Sequence, residues 1–153
     1  MPATKVRVFP GKAARVKMRP GARTLGISAK DSPRIIRLIR AGFSFALLVR
    51  FQKATELPWK MVARFVSIQP STMARRKQVG RLQPDESDRV WRASEIFDMA
   101  VDLFEGDTAA ARRWLQTPQP GLGGEVPLEL ASTGAGAREV ENLIGRLEYG
   151  VIA

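Results

Sequence analysis

Four carboxylates, Glu95, Asp98, Asp102 and Glu105, recur three, four and three residues apart, which on a helix places them along one face. Oxygen ligands in such a row are the chemistry of a hard cation such as Mg²⁺. The same helix carries Val90, Ala93, Phe97, Ala100, Val101 and Phe104 on its other side, so the stripe reads as its solvated face, with no metal site. Trp91 lies beside the stripe and is expected at an interface rather than in this helix's core. The chain has no histidine and no cysteine, which removes the commonest general base and zinc ligand along with thiolates and disulfides. No catalytic residue and no cofactor is assigned, and the expected activity is binding.

Charge says what is bound. Residues 1–80 hold eighteen Lys and Arg against two acids, a net of +16, while residues 81–153 hold seven against thirteen, a net of −6. A strongly basic half suits a polyanion, because neutralising phosphates releases counterions. Within it, residues 59–78 have the spacing of a helix-turn-helix, with small Ala63 at the helix crossing and Val62, Val66, Ile68 and Met73 at positions that need apolar contacts. The expected recognition helix, 70–78, would turn Gln69, Ser71, Thr72, Arg75, Arg76 and Lys77 toward a DNA duplex, arginines onto guanine or phosphate and hydroxyls onto phosphate oxygens. Ser67 occupies the turn position where glycine is commonest, so the turn either avoids a left-handed conformation or accepts some strain. The competing reading is an ordinary helical hairpin with a basic face.

Helix start and stop signals carry these residues. Ser32-Pro33 opens a helix that Gly42 closes; further helices are expected over 45–55, 58–66 and 70–78, the last two opening on Pro58 and Pro70. Gln83-Pro84-Asp85-Glu86 starts a long helix, with Glu86 placed to reach back as a capping-box carboxylate, and Gly106 stops it. Asp107 caps a helix through Trp114-Leu115; residues 127–130 form a short turn, and a final helix covers 137–149 with Gly150 after it. Residues 1–29 carry basic residues without an acid and read as a mobile arm with a short extended piece at 6–9, the competing reading being a tail that only aids solubility. The expectation is an all-α protein: a basic arm over 1–29, a helix-turn-helix domain over 30–80 and a small helical domain over 81–153. The longest apolar stretch, 41–49, is far short of the ~18 residues of a membrane-spanning helix, and residues 1–29 lack a secretion signal's apolar run. A cytoplasmic protein with no membrane contact is expected.

The acidic half carries a series of motifs in fixed order: Gly80-Arg81-Leu82, Glu86-Ser87, Ala100, Phe104, Ala110, Trp114-Leu115, Pro118, Leu122-Gly123-Gly124, Pro127-Leu128, Gly136, Val140-Glu141, Leu143, Arg146 and Glu148-Tyr149-Gly150. In this the chain resembles the Xre/MbcA/ParS toxin-binding domain of RES-Xre antitoxins, and with the preceding helices the resemblance covers about residues 30–153. It implies an Xre-like homodimer whose N-terminal domain binds the operator of its own operon and whose C-terminal domain blocks an NAD-consuming RES-domain toxin. The residues that would meet the toxin are Trp114, Leu122, Gly123, Gly124, Pro127, Leu128, Arg146, Glu148, Tyr149, Gly150, Val151, Ile152 and Ala153. Taken without the family, Trp114-Leu115 and the Leu122-Gly123-Gly124 turn are equally suited to core and connection, and the apolar end to packing on its own last turn. The alternative function is a stand-alone helix-turn-helix regulator whose acidic half dimerises or binds another protein.

Overall fold

A computed structural model describes residues 22–27 and 32–150. Among the described residues there is no strand, only an isolated antiparallel bridge between Ser44 and Arg81. The helices are α1 (Ala22–Leu25), α2 (Ser32–Ala41), α3 (Phe45–Thr55), α4 (Trp59–Phe65), α5 (Pro70–Val79), α6 (Pro84–Leu103), α7 (Thr108–Leu115), α8 (Pro127–Leu130) and α9 (Gly134–Glu148), with a 3₁₀ turn at Pro120–Leu122. The all-α expectation holds, and most boundaries fall where the local signals put them. Ser44 accepts from the Leu47 N–H at the start of α3, Asp107 from the Ala110 N–H at 3.0 Å, and Glu86 from the Gln83 N–H at 2.7 Å. Each satisfies a donor that the first turn of a helix otherwise leaves without a partner.

Helix α6 is the axis of the molecule. It packs against α1, α2, α3, α7 and α9 and buries residues on several sides, including Val90, Ala93, Ile96, Phe97 and Ala100. Trp91 is also buried, at 8% exposure, which corrects its expected place at an interface: enclosed on several faces, α6 needs a bulky side chain outside the main apolar stripe. One continuous core runs from Leu25, Leu48, Phe51 and Phe65 through α6 to Leu115, Leu128, Leu143 and Ile144. The boundary expected after Gly80 falls on a turn that packing crosses: Phe45 donates to the Gly80 carbonyl at 2.9 Å and Leu82 to the Phe43 carbonyl at 2.8 Å. Ser87 Oγ accepts from the Phe43 N–H at 2.7 Å.

Two further expectations change. The arm over 1–29 does not hold through its last residues, because Ala22–Leu25 is helical and Leu25 is buried; residues 1–21, including the extended piece at 6–9, lie outside the described residues. The last helix starts earlier than expected, at Gly134, with Thr133 accepting from the Gly136 N–H at 3.0 Å. Gly136 fits this first turn for a steric reason: a Cβ there would collide with the Leu130 carbonyl. A residue that reads as a helix breaker is thus the one that lets α9 lie against α8.

Candidate DNA-facing and toxin-facing surfaces

Helices α4 and α5 form the hairpin that the sequence places there. Ser67 adopts φ +53, so the turn takes the left-handed conformation despite lacking glycine. The exit from α4 is a Schellman arrangement: Ile68 donates to the Ala63 carbonyl at 3.0 Å and Ser67 to the Arg64 carbonyl at 3.3 Å. Val62, Val66 and Ile68 are buried, as expected, while Ala63 and Met73 are half-buried. Arg89 reaches back from α6, its Nε donating to the Val66 carbonyl at 2.8 Å and an Nη to the Ser67 carbonyl at 3.3 Å. Sequence reasoning missed Arg89, because these two carbonyls lie more than twenty residues away and outside any helical period.

Helix α5 has no buried residue, as an element that lays its side chains on another molecule requires. Gln69, Ser71, Arg75 and Lys77 are exposed and Thr72 is half-buried. Arg76 differs from the expectation: its Nε lies 2.7 Å from Glu86 Oε1, and the two side chains are 18% and 6% exposed. It joins the last turn of α5 to the start of α6 instead of projecting outward. The hydrogen bond to Glu86 raises the Arg76 pKa. Burial pushes Glu86 up, yet hydrogen bonds from Arg76 and the Gln83 N–H outweigh it and hold this carboxyl below its ordinary value. Between α4 and α5 lies a groove of about 620 Å³ lined by Trp59, Lys60, Arg64, Gln69, Met73 and their neighbours. Trp59 is 40% exposed and stacks on Phe45, ring centres 6.2 Å apart. Arg34, Arg37 and Arg40 of α2 are also exposed.

The acidic half divides its expected toxin-facing residues between core and surface. Leu122, Pro127 and Leu128 are buried, so these side chains hold the fold, because the short α8 and the 3₁₀ turn have too few residues to dock except through them. Trp114 is half-buried and packs against the core. Gly123 and Gly124 are exposed with φ +65 and +85, a left-handed pair that reverses the chain before α8. Arg146 and Glu148 are half-buried, Gly150 is exposed and Tyr149 is 80% exposed. The exposed members of the set are thus the Gly123-Gly124 turn and Tyr149-Gly150 at the end of α9; Val151, Ile152 and Ala153 lie outside the described residues.

The acidic stripe of α6 is not the solvated face that its spacing suggests. Asp98 is 3% exposed; it accepts from the Thr24 hydroxyl and, at 3.3 Å, from the Arg23 N–H. Asp102 pairs with Arg23 at 2.7 Å. The stripe seats α1, a role for carboxylates that local spacing alone does not distinguish from solvation. Among the described residues no group of three or more acids is gathered to hold a metal ion, and no helix is long and apolar enough to cross a membrane.

Residues 34–93 match the antitoxin Xre-like helix-turn-helix domain, and residues 99–150 match the antitoxin Xre/MbcA/ParS C-terminal toxin-binding domain. The first match runs into α6 and the second begins within it, in keeping with a helix that serves both halves. Among relatives, an Antitoxin Xre of Yersinia enterocolitica is 37% identical over 90% of this chain and 93% of its own length. An Antitoxin Xre of Photorhabdus laumondii is 32% identical over 97% of this chain and 100% of its own. A third, from Pseudomonas putida, is 33% identical over 49% of this chain and 48% of its own. Both domain matches and the near full-length relatives agree with the arrangement of hairpin and axial helix: the chain belongs to the Xre antitoxin family.

Proposed function

We propose that this antitoxin neutralises an NAD-consuming RES-domain toxin by covering its active site with the end of α9 and the residues that follow, and that it represses its own operon through α5. The observation that carries this is the pairing of two exposed elements on one continuous core. Helix α5 leaves its outward side chains open, and α9 ends in exposed Tyr149 after a helix whose Val140, Leu143 and Ile144 are buried. Both functions are stoichiometric binding and need no chemistry from this chain. Operator reading comes from Gln69, Ser71, Thr72, Arg75 and Lys77, with phosphates neutralised by the cations of the basic half. Two half-sites on the operator call for a homodimer, acting in the cytoplasm where the operon and NAD pool are.

The test separates the two surfaces. Arg75→Ala with Lys77→Ala abolishes binding to the DNA upstream of the chain's own gene while leaving toxin inhibition intact. Truncation after Tyr149 does the reverse. Loss of both activities in either folded variant contradicts separate surfaces, and unchanged inhibition by the truncated chain contradicts blocking by the C-terminal end.

A further inference from the structure

Arg89 sits outside the DNA-facing set, yet two of its hydrogen bonds end on the carbonyls of Val66 and Ser67, at the one strained turn of the hairpin. Ser67 holds φ +53, a conformation that L side chains other than Asn and Asp seldom adopt. The carbonyls of Val66 and Ser67 follow the last turn of α4. Arg89, 23% exposed in its side chain, covers both, at 2.8 and 3.3 Å. Asp85, one turn earlier on α6, lies 3.4 Å from Arg89 Nη1 and orients the guanidinium. Since α5 buries no residue of its own, its angle to α4 rests on the turn at its start, together with half-buried Met73 and the Arg76–Glu86 pair at its far end.

We infer that Arg89 is a positioning residue for DNA recognition: it holds the left-handed Ser67 turn, and so the pose of α5, without touching DNA itself. A planar fork can bond two neighbouring carbonyls at once, which a lysine ammonium does less well. The inference rests on α5 being the DNA-reading helix, and its physical core, the turn held by Arg89, is measurable without DNA.

The experiment uses the full chain. Arg89→Met keeps the apolar stem and removes the donors; it weakens binding to the duplex upstream of the chain's own gene about tenfold, the scale of one lost charge-assisted hydrogen-bond pair. Arg89→Lys, the variant least able to disturb folding, falls in between. Ser67→Gly added to Arg89→Met restores binding, because glycine takes the left-handed conformation unaided. In parallel, exchange of the Ile68 amide, bonded to Ala63, speeds up in Arg89→Met and slows again in the double variant, while amides of α9 do not change. Unaltered Ile68 exchange in Arg89→Met overturns the inference, as does a binding loss that Ser67→Gly fails to restore, which would make Arg89 a direct phosphate contact. If the unsubstituted chain does not bind the duplex, the DNA reading of α5 falls, and Ile68 exchange still decides the role of Arg89 in the turn.

Discussion

Replacing Asp98 with alanine tests whether the acidic stripe is a structural latch for the N-terminal segment. The buried carboxylate accepts from the Thr24 hydroxyl and the Arg23 N–H, and a hydrogen bond to a charged group contributes about 1.5–3 kcal/mol. Once α1 loosens, Thr24 and the Arg23 amide regain water, so part of that contribution returns and a net loss of about 3 kcal/mol is expected. Leu25 resists the release, since its full burial is worth about 1.5–3 kcal/mol. That burial is unchanged by the substitution, so the loss of about 3 kcal/mol at Asp98 shifts the open population of α1 by roughly a hundredfold. Trypsin reads it directly, because cleavage after Arg23 requires local opening and follows the open population when reclosure is fast. Asp98→Ala should therefore raise the cleavage rate at Arg23 about a hundredfold, and Leu25→Ala nearly as much. The two together should fall short of additivity, as both free the same segment. Cleavage at Arg23 that stays at the unsubstituted rate in Asp98→Ala would refute the latch.

Other consequences follow from the same contacts. Glu86 has its pKa lowered in the folded chain, so its contribution is present above the unfolded carboxylate pKa of about 4.3 and is lost as pH falls through the lower folded value. The melting-temperature gap between the unsubstituted chain and Glu86→Gln should close across that acid range, and a constant gap would contradict the ion pair with Arg76. Glu141 shifts the opposite way: burial raises its pKa, partly offset by Arg138 and Arg92. Its favourable state is the protonated one, complete below the unfolded pKa and lost as pH rises through the folded value, so Glu141→Gln should melt higher at pH 7 and equally at pH 3. Gly136→Ala forces a Cβ onto the Leu130 carbonyl and should cost about 1–3 kcal/mol, the range for overpacking, read as a lower melting temperature.

How much of this was legible in sequence depended on how local the cause was. A cap and first-turn prolines announced α5, α6 and α7 because Pro70, Pro84 and Asp107 act within one turn of themselves. The helix-turn-helix was legible from the apolar register of Val62, Val66 and Ile68, and the family from an ordered series of motifs. Contacts across the chain were not. Asp98 meets Arg23 and Thr24 some seventy-five residues away, so periodicity assigned it to solvent. Trp91 lies outside the main apolar stripe of a helix enclosed on several sides, and Arg76 points outward only on an isolated helix. Leu122, Pro127 and Leu128 were read as toxin-facing from motif position, whereas burial gives those side chains to the core.

The central claim is the proposed neutralisation of a RES-domain toxin, and cellular NAD with growth tests it most directly when such a toxin is induced with and without this protein. The account predicts that the toxin alone depletes NAD and stops growth and that co-expression restores both. NAD depletion and arrest that persist with the antitoxin present at matching levels would contradict it.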